Sequence, residues 1–202
     1  MTFYNLIDNT SYERKWTEAV SIHSLSRMIE WSCSDCGAAT GYPAGSFDVT
    51  IEGGKAYPDF LGCGAYPLKI VSSRVIASWE QHGIGPFVKF PVGVAAALET
   101  KLSPKDAPQY FRIEIGGEIM VDVPGSGGQF TRFCTRCGTF MTEPMLIKKF
   151  AFHARSWDGS PLFRDHRLFP RVIFCTESVK RLAEAEHFTN CRFEEMIPTS
   201  DE

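Results

Sequence analysis

Short runs of alternating apolar and polar residues recur along the chain. Runs of about four to eight residues that are rich in aromatic and β-branched side chains and end at Gly, Pro or Ser are typical of β-strands. Gly116 and Gly117 lie between two such runs and predict a β-hairpin in which residues 118–123 pair back onto residues 110–115. The pattern predicts strands at Phe3–Ile7, Arg27–Trp31, Tyr110–Ile115, Glu118–Val123, Gln129–Phe133 and Phe150–Ala154.

Two segments instead show the apolar spacing of a short amphipathic helix. Val75, Ile76 and Trp79 recur at this spacing in the first segment. In the second, the corresponding residues are Val179, Leu182 and Ala183. A strand pattern lies on each side of each predicted helix, so both segments are predicted to run strand, helix, strand.

Local signals predict where helices begin and end. Ser72 and Thr176 stand where a hydroxyl can accept a hydrogen bond from a free helical N–H. Gly83 stands where the first helix should end in left-handed backbone geometry. Ser160 and Pro161 predict the start of one further, brief helix.

The two segments fall in similar halves of the chain. Cys33 and Cys134 are 101 residues apart, as are Cys36 and Cys137, and the helix patterns are 104 residues apart. Offsets this similar predict an internal duplication. We therefore expect a strand-rich α+β fold, with residues 1–202 forming a single unit of two pseudo-repeats, approximately 1–100 and 101–202. Each repeat is expected to hold a CxxCG zinc knuckle followed by strand, helix and strand.

The four paired cysteines carry the most specific chemistry. Each CxxC places two thiols on one tight turn, and two such turns supply the four soft ligands of a closed tetrahedral zinc site. Gly37 and Gly138 follow the pairs and leave room for backbone amides to approach the sulfurs. The motifs predict one structural zinc ion. Its ligands are expected to be Cys33, Cys36, Cys134 and Cys137.

Other interpretations of the cysteines remain open. A redox pair would need a helix that opens at the motif, which the following residues do not favour. Disulfides, or buried thiol pairs without metal, are also compatible with the spacing. Four cysteines leave no open coordination position, so a zinc ion here would be structural. Cys63 lies between two glycines and is expected to be partly buried, and its reactivity is open.

Composition and charge restrict the protein's class further. The chain has 202 residues, is 44% hydrophobic and carries a formal net charge of −3. It has no apolar run of about 18 residues, as a membrane-spanning helix would need, and no signal-peptide pattern at its start. We expect a cytoplasmic protein without a membrane partner. The negative charge also argues against a nucleic-acid partner.

The charge is unevenly distributed, however. Residues 131–171 contain eight Lys or Arg and three Asp or Glu, whereas residues 172–202 contain three basic and seven acidic residues. The simpler interpretation of this uneven charge is that both stretches form ordinary solvated surface. The alternative is a partner-binding face on Lys148–Arg171 or on Glu177–Glu202. The aromatic residues of the basic stretch are expected to pack in the core.

The sequence carries none of the common catalytic motifs. No nucleophile elbow, phosphate-binding loop or dinucleotide fingerprint is present in the sequence. His82 and His187 are expected at helix C-termini. His153, Asp158 and His166 form the one group around which an unrecognised enzymatic site could be built. We predict that the protein is not an enzyme.

Several motifs together resemble a known family. They are Cys33–Gly37, Cys134–Gly138, Trp157–Phe163, Arg171–Glu177 and the closing segment Cys191–Glu194. In these residues the chain resembles the double-CxxCG proteins of myxobacteria. Some of those proteins are immunity proteins against contact-delivered lipoprotein toxins. The resemblance implies a cytoplasmic protein that binds and neutralises a cognate toxin protein. The alternative is a zinc-ribbon-like nucleic-acid-binding protein, based on Arg132 and Arg136 beside the second motif.

Overall fold

The computed structural model describes residues 1–8, 15–23, 28–32, 34, 39–43, 45–63, 68–128, 130–133, 140–142, 149–166 and 169–199. Within these residues the chain forms two α-helices, numerous β-strands and short 3-10 turns, so it is a strand-rich α+β protein, as predicted. The helices are α1 (Ser73–Gln81) and α2 (Glu177–Ala185). The strands are β1 (Phe3–Asp8), β2 (Glu18–His23), β3 (Met28–Ser32), β4 (Ala39–Pro43), β5 (Phe47–Glu52), β6 (Phe60–Leu61), β7 (Ile70–Ser72), β8 (Phe87–Leu98), β9 (Tyr110–Ile115), β10 (Gly117–Glu118), β11 (Met120–Asp122), β12 (Phe130–Phe133), β13 (Phe140–Thr142), β14 (Ala151–His153), β15 (Leu162–Asp165), β16 (Phe169–Thr176), β17 (Cys191–Glu195) and β18 (Ile197–Thr199).

A six-stranded sheet in the order β2-β5-β8-β9-β7-β6 closes into a small barrel. Closure occurs beside β6, where Gly62 bridges Glu18 of β2 and accepts a hydrogen bond of 2.8 Å from the N–H of Ala19. Each of the six strands contributes buried residues to one cluster, the barrel core. Its members are Ala19, Phe47, Val49, Ile51, Leu61, Cys63, Ile70, Val92 and Tyr110.

A five-stranded sheet in the order β10-β15-β16-β1-β17 separates two further cores. Its strands alternate their side chains, so that Leu6 faces one core and Phe3 the other. The helix core contains the apolar faces of both helices: Leu6, Phe60, Val71, Val75, Ile76, Trp79, Ile84, Ile113, Ile115, Leu162, Ile173, Cys175, Val179, Ala183 and Phe188. The aromatic core consists of Phe3, Ile119, Val121, Val123, Phe152, Phe163, Phe174 and Met196. A three-stranded sheet, β11-β14-β18, supplies residues to the aromatic core.

Both predicted strand-helix-strand segments are present. The first runs β7-α1-β8 and the second β16-α2-β17. Ser72 caps α1 by accepting from the N–H of Val75, whereas Thr176 stands at the N-cap of α2 without such a bond. Val75, Ile76 and Trp79 are fully or almost fully buried, which confirms the predicted apolar face of the first helix.

The two helices end in the same way. Gly83 and His187, each two residues past the last helical residue, have positive φ values of 64° and 52°. The next residue then bonds back into the helix, from Ile84 N to Trp79 O at 2.8 Å and from Phe188 N to Ala183 O at 2.9 Å. This arrangement satisfies carbonyls at the helix end and buries an apolar residue there. The Gly83 prediction is confirmed, and His187 takes the same conformation with a side chain present.

Two local predictions are wrong. Residues 118–123 do not pair with β9, because β10 pairs with β15 and β11 pairs with β14. Gly117 instead allows its backbone to pack closely against β15, since a Cβ there would collide with the carbonyl oxygen of Leu162. The brief helix at Ser160 and Pro161 is absent, and β15 begins at Leu162. Leu162 and Phe163 are both fully buried on opposite faces, which a strand between two cores permits.

Candidate metal centre

The first CxxCG motif joins two paired strands. β3 and β4 are antiparallel, and Ser32 of β3 lies opposite Ala39 of β4. Residues 33–38, which include Cys33, Cys36 and Gly37, connect these two partners in sequence. The cysteines themselves lie outside the described residues. The motif therefore occupies the connection of a β-hairpin.

The second motif has the same placement. β12 and β13 are antiparallel, and Phe133 lies opposite Phe140. Residues 134–139, with Cys134, Cys137 and Gly138, connect them and also lie outside the described residues. Ser32 and Phe133 are 101 positions apart, and so are Ala39 and Phe140. The two hairpins thus share the register next to their motifs, although a bulge at residues 130–132 alters the second further away.

The remaining cysteines are buried or half-buried thiols. Cys63, Cys175 and Cys191 form no disulfide. Burial and, to a smaller extent, the nearby charge of Asp59 together raise the pKa of Cys191 to about 12. Burial likewise raises the pKa of Cys175. Both are therefore protonated near neutral pH, and a thiolate is the form that binds metal or attacks an electrophile. Across the described residues, no group of three or more His, Cys, Asp or Glu side chains could hold a metal ion.

The histidines and Asp158 make structural contacts. The Nδ1 of His82 lies 2.9 Å from the carbonyl oxygen of Ser78 and so carries the proton that it donates. Asp158 accepts the backbone N–H groups of Glu118 and Ser160, each at 2.9 Å, one at each carboxylate oxygen. His166 lies between Arg164 and Glu118. Asp158 thus holds β10 beside the loop before β15.

The aromatic side chains that the structure describes in the basic stretch, which lie between residues 150 and 163, pack in the core. Phe152 and Phe163 are buried, and the ring centroids of Phe3 and Phe152 are 4.8 Å apart. Trp157 packs against the same cluster, and its indole N–H donates to the carbonyl oxygen of Ser160 at 2.9 Å. These side chains are therefore not free to anchor a partner.

A buried carboxylate links distant parts of the chain, which sequence reasoning missed. Asp59 accepts hydrogen bonds from Ser72 Oγ at 2.8 Å and from both the N–H and the Oγ of Thr189 at 2.9 Å. Arg74 donates to both carboxylate oxygens and also to the carbonyl oxygen of Glu186 at 2.8 Å. The network joins the start of α1 to the turn after α2, and its partners are up to 130 residues apart.

This network sets the charge state of Asp59. Burial by itself would raise the pKa of the carboxyl group, but the hydrogen bonds from Arg74, Thr189 and Ser72 outweigh it and lower the pKa below its usual range. Hydrogen bonds made to the charged form favour that form. Asp59 is consequently a carboxylate at neutral pH and stabilises the contact between the two strand-helix-strand segments.

A groove of about 510 Å³ runs between α2 and β17. Its lining includes the apolar residues Ala183, Phe188 and Phe193 and the charged residues Lys180 and Glu184. The groove lies beside the outer edge of the five-stranded sheet, since β17 is the last strand in its order.

Neither of the described helices is long and apolar enough to cross a membrane. Comparison of the chain with protein-family models gives no match, and comparison with curated proteins gives none either.

Proposed function

We propose that Cys33, Cys36, Cys134 and Cys137 together bind one structural zinc ion. The support comes from the two hairpins, in which each CxxCG motif connects strands at equivalent register positions. A hairpin connection fixes the direction of the chain on both sides of the motif, so that less conformational entropy is lost when the thiolates meet a metal ion. Four thiolates would complete the coordination of zinc and leave no position for substrate.

We further propose that the protein is a cytoplasmic immunity protein, without enzymatic activity, that binds and neutralises a cognate contact-delivered toxin protein. The observation that carries this proposal is the duplicated CxxCG motif, because the resemblance to the double-CxxCG proteins rests on it. We also propose that the two strand-helix-strand segments are pseudo-repeats. Their helices have equal lengths, and their C-terminal bonding patterns match residue by residue.

Co-expression tests the immunity function. A candidate toxin, sought among the products of the genes that neighbour this one, is produced in the cytoplasm of a sensitive host with and without this chain. Growth should be restored only when this chain is present, and the two proteins should co-elute from a size-exclusion column. The same host producing an unrelated toxin is the matched control, and this chain should not protect it. Continued killing despite soluble, folded chain would contradict the proposal.

The second candidate is a zinc-ribbon-like nucleic-acid-binding protein. It rests on the excess positive charge of residues 131–171, which includes Arg132 on β12 of the second hairpin. Phosphate neutralisation would give binding that weakens steeply with salt. A gel-shift assay at low salt with labelled duplex DNA and single-stranded RNA decides the question, because absence of retention removes this candidate.

A further inference from the structure

Strand β17 has a hydrogen-bonding side that no described strand covers. It is the last strand of the five-stranded sheet and, among the strands that the structure describes, pairs with β1 alone. The N–H of Met196 bonds to the carbonyl oxygen of Phe3 at 2.8 Å, so at this position the backbone groups point towards β1. Because these directions alternate along an antiparallel strand, Arg192 and Glu194 also bond towards β1. The N–H and C=O groups of Cys191, Phe193 and Glu195 then point outward.

The side chains of this edge alternate in the same way. Phe193 lies opposite Leu6 and packs on the helix core, where it lines the groove beside α2. Arg192 and Glu194 project from the other face, with their side chains 54% and 49% exposed, and their charged ends are 3.3 Å apart. An exposed edge is a template for another strand. Here it carries two opposite charges placed symmetrically about Phe193.

We propose that β17 pairs with β17 of a second copy of this chain, antiparallel, about a two-fold axis that passes beside Phe193. In this register Phe193 lies opposite Phe193 of the second copy, and Cys191 lies opposite Glu195 in both directions. All of these residues have outward-pointing backbone groups, and each such pair can exchange two N–H···O=C bonds. The two five-stranded sheets then form one continuous sheet.

Charge complementarity selects the second copy as the occupant. In the proposed register Arg192 lies opposite Glu194 of the second copy, and Glu194 lies opposite its Arg192. These are the pairs without backbone hydrogen bonds, in which side chains approach most closely. Moving the axis by one residue either way would place Arg192 against Arg192 or Glu194 against Glu194, which is unfavourable. An interface of this kind is self-complementary, as two-fold symmetry requires.

The groove beside α2 adds an apolar contact. Phe193 is half-buried in the monomer, and its ring forms one wall of the groove. In the paired sheet the Phe193 ring of the second copy lies beside this wall on the same face of the sheet. Each copy thus covers apolar surface of the other while the backbone bonds form. The interaction is independent of any toxin and is expected of the purified chain alone.

The test is a charge exchange measured by sedimentation velocity over a range of concentrations. Wild-type protein should form a dimer. Either Arg192→Glu or Glu194→Arg replaces both opposite-charge pairs by like-charge pairs and should raise the dimer dissociation constant about tenfold or more. The double variant R192E/E194R restores opposite charges across the axis and should dimerise as the wild type does.

The control is Arg181→Glu, which changes the same charge on the exposed face of α2, where Arg181 pairs with Glu177 within its own helix. It should leave the dissociation constant unchanged. Circular dichroism establishes that each variant is folded, and recovery in the double variant distinguishes a lost interface from a lost fold. A wild type that is monomeric at every concentration, or a dimer that is insensitive to both single exchanges, would overturn the proposal. The proposal would also be overturned if β17 paired only with a strand of a different protein and never with β17 of a second copy.

Discussion

Replacing Asp59 by Asn tests whether the buried carboxylate holds the two strand-helix-strand segments together. The substitution preserves shape but removes the charge and turns one acceptor oxygen into a donor. Both oxygens of Asp59 accept, one from Ser72 and Arg74 and the other from Arg74 and Thr189. The new NH₂ group must therefore face another donor in either orientation.

The size of the effect follows from these contacts. The Asp59 side chain is 10% exposed, so its lost hydrogen bonds cannot be replaced by water, whereas Arg74 is 47% exposed and can be rehydrated. Hydrogen bonds to a charged group contribute about 1.5–3 kcal/mol each. We discount the Arg74 pair for solvent screening and expect the free energy of unfolding to fall by about 3 kcal/mol. For a chain of this size the melting temperature should fall by about 6–12 °C.

Thermal unfolding followed by circular dichroism at pH 7 measures the change. Asp106→Asn is the matched control, because Asp106 is exposed in the 3-10 turn before β9 and undergoes the same chemical change. It should melt within about 1 °C of the wild type, as is usual for an exposed substitution. If D59N and D106N melted at the same temperature, the network would contribute no stability and the reasoning would be refuted.

The pH dependence of D59N gives an independent check. The folded pKa of Asp59 lies below its unfolded value of about 3.9. The unfolded chain therefore binds the proton first as the pH falls. The stability contributed by Asp59 is fully present above the unfolded pKa and is lost as the pH falls through the folded pKa. The difference in melting temperature between wild type and D59N should be constant from pH 7 to about 5 and should shrink below about pH 4.

Two further predictions concern metal and helix ends. Purified, untagged chain should contain one zinc ion. Cys33→Ser should abolish metal binding and lower the melting temperature, whereas Cys63→Ser should retain the metal. The prediction is contradicted if the purified wild type contains no zinc and Cys33→Ser melts at the same temperature as the wild type. His187→Gly should raise the free energy of unfolding by about 0.5–1 kcal/mol, and Gly83→Ala should lower it by about 1 kcal/mol, because both positions have positive φ. Urea unfolding measures both changes, and effects of the opposite sign would refute the argument from backbone geometry.

The elements predicted well from sequence are those specified by local signals. The stripe that includes Val75 and Trp79, the capping hydroxyl of Ser72 and the terminal Gly83 define α1 within a dozen residues, and packing supports the same choice. Local patterns also predict the strands before the two CxxCG motifs, which the structure has as Met28–Ser32 and Phe130–Phe133. The four-cysteine ligand set itself stays a prediction, since those residues lie outside the described ones.

The two wrong predictions concern segments whose structure is determined by contacts with residues far away in the sequence. The Gly116 and Gly117 pair has the composition of a turn, yet the backbone needs Gly117 for close contact with β15, more than forty residues later. Ser160 and Pro161 have the composition of a helix start, but burying Leu162 and Phe163 in different cores requires a strand. Tertiary packing overrides local propensity in such places.

The Asp59 network could not be predicted from sequence for a related reason. A lone aspartate between Pro58 and Phe60 carries no local signal of burial. Its partner Thr189 follows the other helix, 130 residues along the chain. Only the fold, which packs the two helices into one core, brings these groups together.

The position of β1 has a consequence for synthesis of the chain. Residues 3–8 leave the ribosome early, but β1 lies between β16 and β17, which are translated more than 160 residues later. The first strand must therefore wait unpaired, with Phe3 and Leu6 exposed to solvent or to chaperones, while most of the chain is made. The barrel needs nothing beyond residue 115 and can close first, giving a nascent chain a folded body onto which the later sheet is added.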